Sequence, residues 1–483
     1  MVQCEKPVAR GRARPLVIGG VTDDLKDATG GSAADEGLFS GRYASTSAVF
    51  ATVMFLTGLA ALAVVPTLPT AARDLGGVTL YPLVAGCFVA ASLLGGVLGG
   101  HWADRSGAHR PLAAGMAASV LTLLIAGASP TVWQLAAGRF LEGLAGGMVA
   151  VSVNTAIGQA YPERLRPRAL ALMSACWIVP SLVGPPVAGL VAEWWSWRAV
   201  FFGLAALTLL PAVAVAVVLR GRSWSPGRTG GPAEAGDAPR RPAPVAAVAL
   251  SLGAALGQYG VSGWDLRHLP FAVGGFALLA VFAPRLLPPG TWRAARGLPA
   301  TVLLCGLGSG VFFTVEAYVP LMLVAERDAP AAAVGLAFTG AAVAWAGASW
   351  VQGRLLEDRP RHTLVAAGAV LLAAAVATAA VGAHPAVPSI VAGSAMVVAA
   401  VGMGLLAPSL TVLSLFHSPG RQGYAGSSMQ ITQNLGQVTV LGLASALFNA
   451  VSAAGAAGYG AAFGVLLAPC ALAAVLAVRT RGV

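Results

Sequence analysis

Gly100-His-Trp-Ala-Asp-Arg-Ser-Gly-Ala-His-Arg110 is a polar knot between two apolar runs, and its reading decides the fold. Tyr81–Gly99 precedes it and Leu112–Ala128 follows it, and neither run holds a residue charged at neutral pH. Each run is close to the length of about 20 apolar residues that crosses a bilayer. A connection this short makes the two runs antiparallel neighbours, with an Asp-Arg pair and a glycine in the turn between them.

Composition agrees with membrane burial. Of the 483 residues, 57% are hydrophobic and 10% are charged, against roughly 25% charged in soluble domains. Five cysteines (Cys4, Cys87, Cys176, Cys305, Cys470) are scattered, which suggests neither a metal site nor a disulfide frame. The only lysines are Lys6 and Lys26, so no phosphate-cradling Gly-rich loop ending in Lys-Ser/Thr exists, and no nucleotide or other cofactor is implied. The six histidines are dispersed and form no cluster with Asp or Glu of the kind a membrane enzyme would need.

Residues 1–43 are polar, Gly-rich and of mixed charge, and are read as a disordered cytoplasmic tail. Six spans follow within 44–220: Ser47–Pro69, Tyr81–Gly100, Leu112–Ala128, Thr131–Ala150, Ala169–Ala192 and Val200–Leu219. Residues 221–297 combine a Gly/Pro/Arg-rich linker with two weaker runs, Val245–Trp264 and Leu269–Leu287. Six more spans occupy 298–478: Leu298–Val324, Val334–Trp350, Leu364–Val381, Ile390–Leu415, Ala425–Val451 and Gly458–Val478; 479–483 is a cytoplasmic end. The expected total is 14 spans, or 12 if the central pair is a cytoplasmic loop.

The net charge of +11 sorts itself along this topology. With a cytoplasmic N-terminus, 25 of the 30 Lys and Arg fall in cytoplasmic tails and loops. Four (Arg73, Arg198, Arg267, Arg327) fall outside and one, Arg139, lies within a span. Such asymmetry places both termini inside. It gives the basic charge a role in orientation and in meeting anionic lipid, so nucleic acid is not an expected partner.

Three motifs follow a recurring pattern in chain order, with the end of span 1 and the opening of span 6 beside them. Gly100, Ala103, Asp104, Arg105 and Gly107 fall on the pattern G-x-L-A-D-R-x-G-R/K-R/K, with Trp102 replacing Leu and Arg110 closing a thinned basic end. Span 4 carries Arg139, Glu142 and Gly143 on l-x-x-x-R-x-x-Q-G, with Glu142 where Gln is commoner. Span 5 carries Pro180, Gly184, Pro185 and Gly189, close to the exporter pattern G-x-x-x-G-P-x-x-G-G. Span 1 ends Leu68-Pro69-Thr70-Ala-Ala-Arg73-Asp74-Leu75-Gly76-Gly77, and Trp195-Ser-Trp197-Arg198-Ala-Val-Phe201 opens span 6 with aromatics placed as interfacial anchors. The chain resembles the major facilitator superfamily of transporters, and within it the 14-span drug:proton antiporters. Gly353-Arg-Leu-Leu-Glu-Asp-Arg-Pro-Arg361, after the second span of the second half, reads as a degraded copy of the Gly100 loop.

The resemblance implies two six-helix bundles rocking about a midplane cavity, here with a central two-helix insertion. It also implies export of a small molecule by proton exchange, a cytoplasmic gate at the Gly100–Arg110 loop, and a link between Arg139 and proton coupling. One departure bears on mechanism. Those antiporters usually carry an Asp in span 1, where this register places Ala60.

Charges at bilayer depth cost about 2.5–3.5 kcal/mol on insertion scales, so they face a cavity or a partner. Of the 19 acidic residues, only Glu142 and Glu316 sit well inside spans. Arg139 and Glu142, one turn apart, can pair; a purely structural ion pair is the alternative to a coupling role. Glu316 shares a helical face with Ser309, Phe312 and Phe313 and is the expected proton carrier, with Arg139 and Glu142 in support; a structural, hydrogen-bonded Glu316 is the alternative. In span 13, Gln430, Gln433, Asn434 and Gln437 fall on one face with Ser427, either lining a wet cavity or bonding helix to helix.

The expectation is an all-α polytopic protein of the plasma membrane, monomeric, whose partners are the bilayer, a small amphipathic or hydrophobic substrate and protons. Metabolite uptake and lipid export are the alternatives within the fold, and a polytopic membrane enzyme is the alternative outside it.

Overall fold

The computed structural model describes residues 38–40, 43–162, 165–218, 244–263, 266–418, 422–453 and 458–480, and every regular element among them is helical. Most of the stretch read as a tail, part of the linker and the last three residues lie outside the described residues. In the first half, α1 (Ala44–Val64) continues through a 3-10 turn into α2 (Leu68–Asp74), followed by α3 (Tyr81–Ser106), α4 (His109–Gly127), α5 (Val132–Ala160), α6 (Arg166–Ala175), α7 (Ile178–Trp194) and α8 (Trp197–Val218). The central pair is α9 (Pro244–Gly260) and α10 (Leu269–Phe282). The second half comprises α11 (Leu298–Arg327), α12 (Ala331–Arg354), α13 (Arg361–Gly382), α14 (Ser389–Phe416), α15 (Gln422–Ala453), α16 (Gly458–Val465) and α17 (Leu467–Leu476).

Among the described residues, eleven helical stretches are long and apolar enough to cross a membrane, and three shorter apolar helices accompany them: Ile178–Trp194, Val245–Gly260 and Leu269–Arg285. Together they match the fourteen runs of the sequence. Prolines account for the interruptions. Pro69 offers no N–H to the Val65 carbonyl, which accepts instead from Leu68 N in the tighter i+3 bond. The expected continuous span Ala169–Ala192 is divided into α6 and α7 by a turn at Cys176–Trp177. Pro180 withholds the N–H that the Cys176 carbonyl needs, so the helix breaks there and restarts at Ile178 with Pro180 in its first turn, where a missing N–H is tolerated.

Glycines set the closest approaches within the halves. A Cβ at Gly143 or Gly147 on α5 would fall onto the carbonyls of Phe88 or Ser92 on α3, and one at Gly95 onto that of Leu144. Small residues let backbones touch where lipid supplies no hydrophobic drive between helices. In the second half Gly436 of α15 sits in the same way on the Gly306 carbonyl of α11.

The central pair packs across the seam between the halves. Leu250 and Ala254 of α9 and Leu279 of α10 join Ala90 of α3, Val302 of α11 and Ile431, Leu435 and Val438 of α15 in one buried cluster. Gln258, 1% exposed, donates Nε2 to the Val438 carbonyl at 2.7 Å, and Asn449 of α15 donates Nδ2 to the Val261 carbonyl at 2.8 Å. The insertion is therefore part of the bundle wall, tied by polar bonds to the second half.

Helix alternation gives the molecule two faces, one carrying the α3–α4 turn at Gly107 and the other carrying the α2–α3, α7–α8 and α11–α12 turns. On that second face the halves are fastened together. Arg73 at the end of α2 bonds Asp328 at 2.6 Å and the Val324 carbonyl at 2.8 Å. Glu193 at the end of α7 accepts the Ala332 N–H of α12 at 3.1 Å, in effect capping that helix from the other half. Nearer the middle, Thr339 Oγ1 reaches the Leu182 carbonyl at 3.3 Å.

Candidate transport site

The turn after α3 is built by Gly107, whose φ of +79° favours glycine and whose N–H closes α3 on the Ala103 carbonyl at 3.0 Å. Gly100 lies about two turns before the end of α3, facing Val151 of α5. Asp104, Arg105 and Arg110 are exposed around the turn while Gly107 is buried.

Arg139 and Glu142 on α5 form a 2.7 Å ion pair, 2% and 4% exposed. The Arg139 guanidinium lies 4.6 Å from the Phe88 ring centre, and its Nε finds no hydrogen-bond partner. The glycine contact at Gly143 draws α5 onto α3, bringing Arg139 over Phe88. A charge pair this deep satisfies itself, since either member alone would be an uncompensated buried charge.

Glu316 on α11 is half-buried and has no hydrogen-bond or ion-pair partner among the described residues. Tyr81 of α3 shares one buried cluster with Phe312, Val315 and Tyr318 of α11, so the stretch of α11 that carries Glu316 packs at the seam with the first half. Phe312 and Phe313 flank this helix turn. Phe312 is buried, 5.3 Å from Phe313 and 5.0 Å from Trp345 of α12, ring centre to ring centre.

The α15 amides take the side left by the buried cluster of Ile431, Leu435 and Val438. Gln430 is exposed and donates to Asn434 Oδ1 at 3.1 Å; Gln433 and Asn434 are half-buried and Gln437 is buried. Pro180, Gly184, Pro185 and Gly189 are all buried on α7. Gly184 faces Leu59 of α1, while a Cβ at Gly189 would come within 2.6 Å of the Ala331 carbonyl across the seam. Gly335 returns the contact onto the Pro185 carbonyl, also at 2.6 Å. One face of the motif thus binds its own half, and the other meets the opposite half.

Sequence reading missed the groups that fasten the far face. Arg73 stands in the span 1 motif and among the four outside cations, neither of which names a partner, and Asp328 and Glu193 carry no signal beyond lying near span ends. A cavity of about 520 Å³ opens there, lined by Thr70, Arg73, Asp74, Glu193 and Ala331 among others. The Trp195-to-Phe201 stretch divides. Trp195 is exposed as an interfacial anchor should be, whereas Trp197 is buried and donates Nε1 to Asp74 at 3.0 Å. Arg198 stacks on Trp197 at 4.2 Å and bonds the Ser129 carbonyl, so these two residues brace the end of α2 rather than anchoring in lipid. Among the described residues no three His, Cys, Asp or Glu converge as metal ligands.

Comparison with known proteins agrees with this architecture. The family profile described as Major Facilitator Superfamily matches residues 50–441. The chain belongs to that superfamily. It is 30% identical over 447 residues to a probable multidrug-efflux transporter of Mycobacterium tuberculosis, covering 88% of this chain and 93% of that protein. Over 177 residues it is 30% identical to multidrug resistance protein 1 of Bacillus subtilis, covering 36% of this chain and 45% of that one. Among solved structures, a D-xylose–proton symporter superposes with a TM-score of 0.63 at 15% identity, covering 90% of this chain and 96% of the other. A POT family transporter in complex with 5-aminolevulinic acid gives 0.62 at 12% identity, covering 90% and 94%. The chain is a membrane transporter with multidrug-efflux relatives.

Proposed function

We propose that the protein is a proton-coupled exporter of a small amphipathic or hydrophobic compound, working by alternating access as a monomer in the plasma membrane with both termini cytoplasmic. The observation that carries the reading is Glu316: a carboxyl with no hydrogen-bond or ion-pair partner among the described residues, inside a long apolar helix at the seam between the two halves. The multidrug-efflux relatives support the direction and the substrate class.

In this reading the described conformation, fastened across the far face, is open toward the cytoplasmic, Gly107 face. Substrate enters among Phe312, Phe313 and the amides Gln430, Gln433, Asn434 and Gln437, where rings offer apolar contact and amides offer both donors and acceptors. The Arg73 and Glu193 contacts release, the far side opens, and the substrate leaves. Glu316 then takes a proton from the outer solution. A neutral carboxylic acid passes through the dry closed state at far lower cost than a carboxylate. When the Gly107 face reopens, the proton passes to cytoplasmic water and the cycle restarts. Arg139 and Glu142 hold α5 in register and supply the fixed charges against which Glu316 titrates. Gly100, Asp104, Arg105, Gly107 and Arg110 form the cytoplasmic gate, and Pro180, Gly184, Pro185 and Gly189 let α7 slide against α12.

No residue is assigned a catalytic role, and the cycle calls for no metal or cofactor. The test is proton flux in proteoliposomes under an imposed pH gradient, challenged with a panel of dyes, drugs and metabolites. Proton movement that requires a lipophilic compound is expected; substrate movement that leaves the proton gradient untouched contradicts the reading.

A further inference from the structure

The connection between α10 and α11 is a short, rigid, wholly basic segment on the Gly107 face. Arg285, Arg293 and Arg296 stand on it, all exposed. Arg479, from the turn after α17, is exposed too and donates Nη1 to the carbonyls of Arg293 and Ala294 at 3.2 Å each, while Gly297 N–H returns a bond to the Arg479 carbonyl. The segment is locked internally: Thr291 Oγ1 bonds the Pro288 carbonyl at 2.6 Å, and the Ala294 N–H bonds that of Thr291. Four guanidinium groups from two distant parts of the chain therefore share one scaffold. No Asp or Glu occurs between Asp265 and Glu316 or anywhere after Asp358, and among the described residues none forms an ion pair with these four arginines.

An apolar wall lies beside this charge. Arg285 lies over the Phe282 ring at 4.8 Å, its stem following α10. Val273 and Val281 on α10 are exposed, and Trp292, 60% exposed, projects from the middle of the basic segment. A tryptophan among arginines at the end of an apolar helix suits the headgroup level of a leaflet. Arginine stems cover apolar surface while their planar forks bind phosphate oxygens bidentately.

We infer that the α10–α11 connection is a binding site for the headgroup of an anionic phospholipid, held by Arg285, Arg293 and Arg296, with Trp292 and the exposed face of α10 against its acyl chains. Arg479 fixes the scaffold through its carbonyl bonds. The occupant is a lipid rather than a soluble phosphate because the charge opens onto the apolar wall. The inference does not depend on what the protein transports.

The test uses the full-length protein in nanodiscs of phosphatidylcholine, with either brominated phosphatidylglycerol or brominated phosphatidylcholine as minor component. The fluorescence lost in Trp292→Phe isolates the Trp292 signal from the other tryptophans. Brominated phosphatidylglycerol is expected to quench that signal several-fold more efficiently than brominated phosphatidylcholine. Each arginine replaced in Arg285→Gln, Arg293→Gln and Arg296→Gln should reduce the preference by up to about fivefold, and the matching lysine variants should keep much of it. Equal quenching by the two lipids overturns the inference, as does a preference that survives the triple glutamine variant. Loss of the preference in excess inorganic phosphate, at constant ionic strength, would assign the site to a free anion and equally overturn it.

Discussion

Arg73 Nη2 and Asp328 Oδ1 lie 2.6 Å apart and join the end of α2 to the turn after α11, so one ion pair spans the two halves of the molecule. Its side chains are 49% and 76% exposed, which bounds its strength. Exposed pairs contribute about 0.2–1 kcal/mol, so Asp328→Asn should shift the balance toward the outward-open state by no more than about fivefold. The shift is read from labelling of a cavity cysteine by an impermeant maleimide added outside. Complete locking in either state would show that the pair does more than bias the equilibrium.

Gly189 offers a sharper lever than the ion pair. A side chain there must displace the Ala331 backbone, which cannot rotate aside as a long side chain would. Gly189→Val should therefore disfavour the closed far face, increase outside labelling more than Asp328→Asn does, and reduce transport at least about fivefold, as overpacking by about 1–3 kcal/mol predicts. Gly184→Ala, which faces only the Leu59 side chain at 3.1 Å, should be milder in both assays.

Leu266, 86% exposed in the turn between α9 and α10, reports whether the central pair crosses the membrane. A cysteine placed there in an otherwise cysteine-free protein should be labelled from outside intact cells. Labelling only after the cells are opened would return the pair to the cytoplasmic side.

His417, just past the end of α14, has both ring nitrogens buried without a hydrogen-bond partner among the described residues, and burial holds its pKa below the usual histidine value. The unfolded chain then binds a proton at His417 more readily than the folded one, so the folded state loses stability as pH falls through about 6.5 and below. The difference in melting temperature between wild type and His417→Gln should move against the wild type as the pH is lowered from about 7.5 to about 5.5. A pH-independent difference would show that the imidazole stays neutral, or finds a partner, across that range.

The number and order of helices were legible because each span is a long apolar run and lipid tolerates little else. What the sequence hid lies at the seams. Pro180 was visible as a motif residue, yet its effect on the Cys176 carbonyl divides a run that hydropathy alone shows as continuous. Trp197 carries the composition of an interfacial anchor, and only the position of Asp74, 123 residues earlier, turns it into a buried donor. Arg73 and Asp328 are 255 positions apart, and nothing local in either segment names the other. Arg139 and Glu142 were readable as a pair because helix periodicity brings them together, whereas the packing of the Glu316 stretch of α11 at the seam required the halves to be assembled. Whether these groups couple protons to transport is a question of ionisation, which spacing does not encode.

Glu316 decides that question. Glu316→Gln keeps the shape and the hydrogen-bonding capacity of the side chain but cannot ionise, and the uptake of a fluorescent lipophilic substrate into inverted membrane vesicles measures the consequence. Accumulation driven by a proton gradient should disappear, while exchange of labelled for unlabelled substrate across the same membrane persists. Accumulation against the substrate gradient at wild-type rates in Glu316→Gln would contradict the account and leave Glu316 a structural residue.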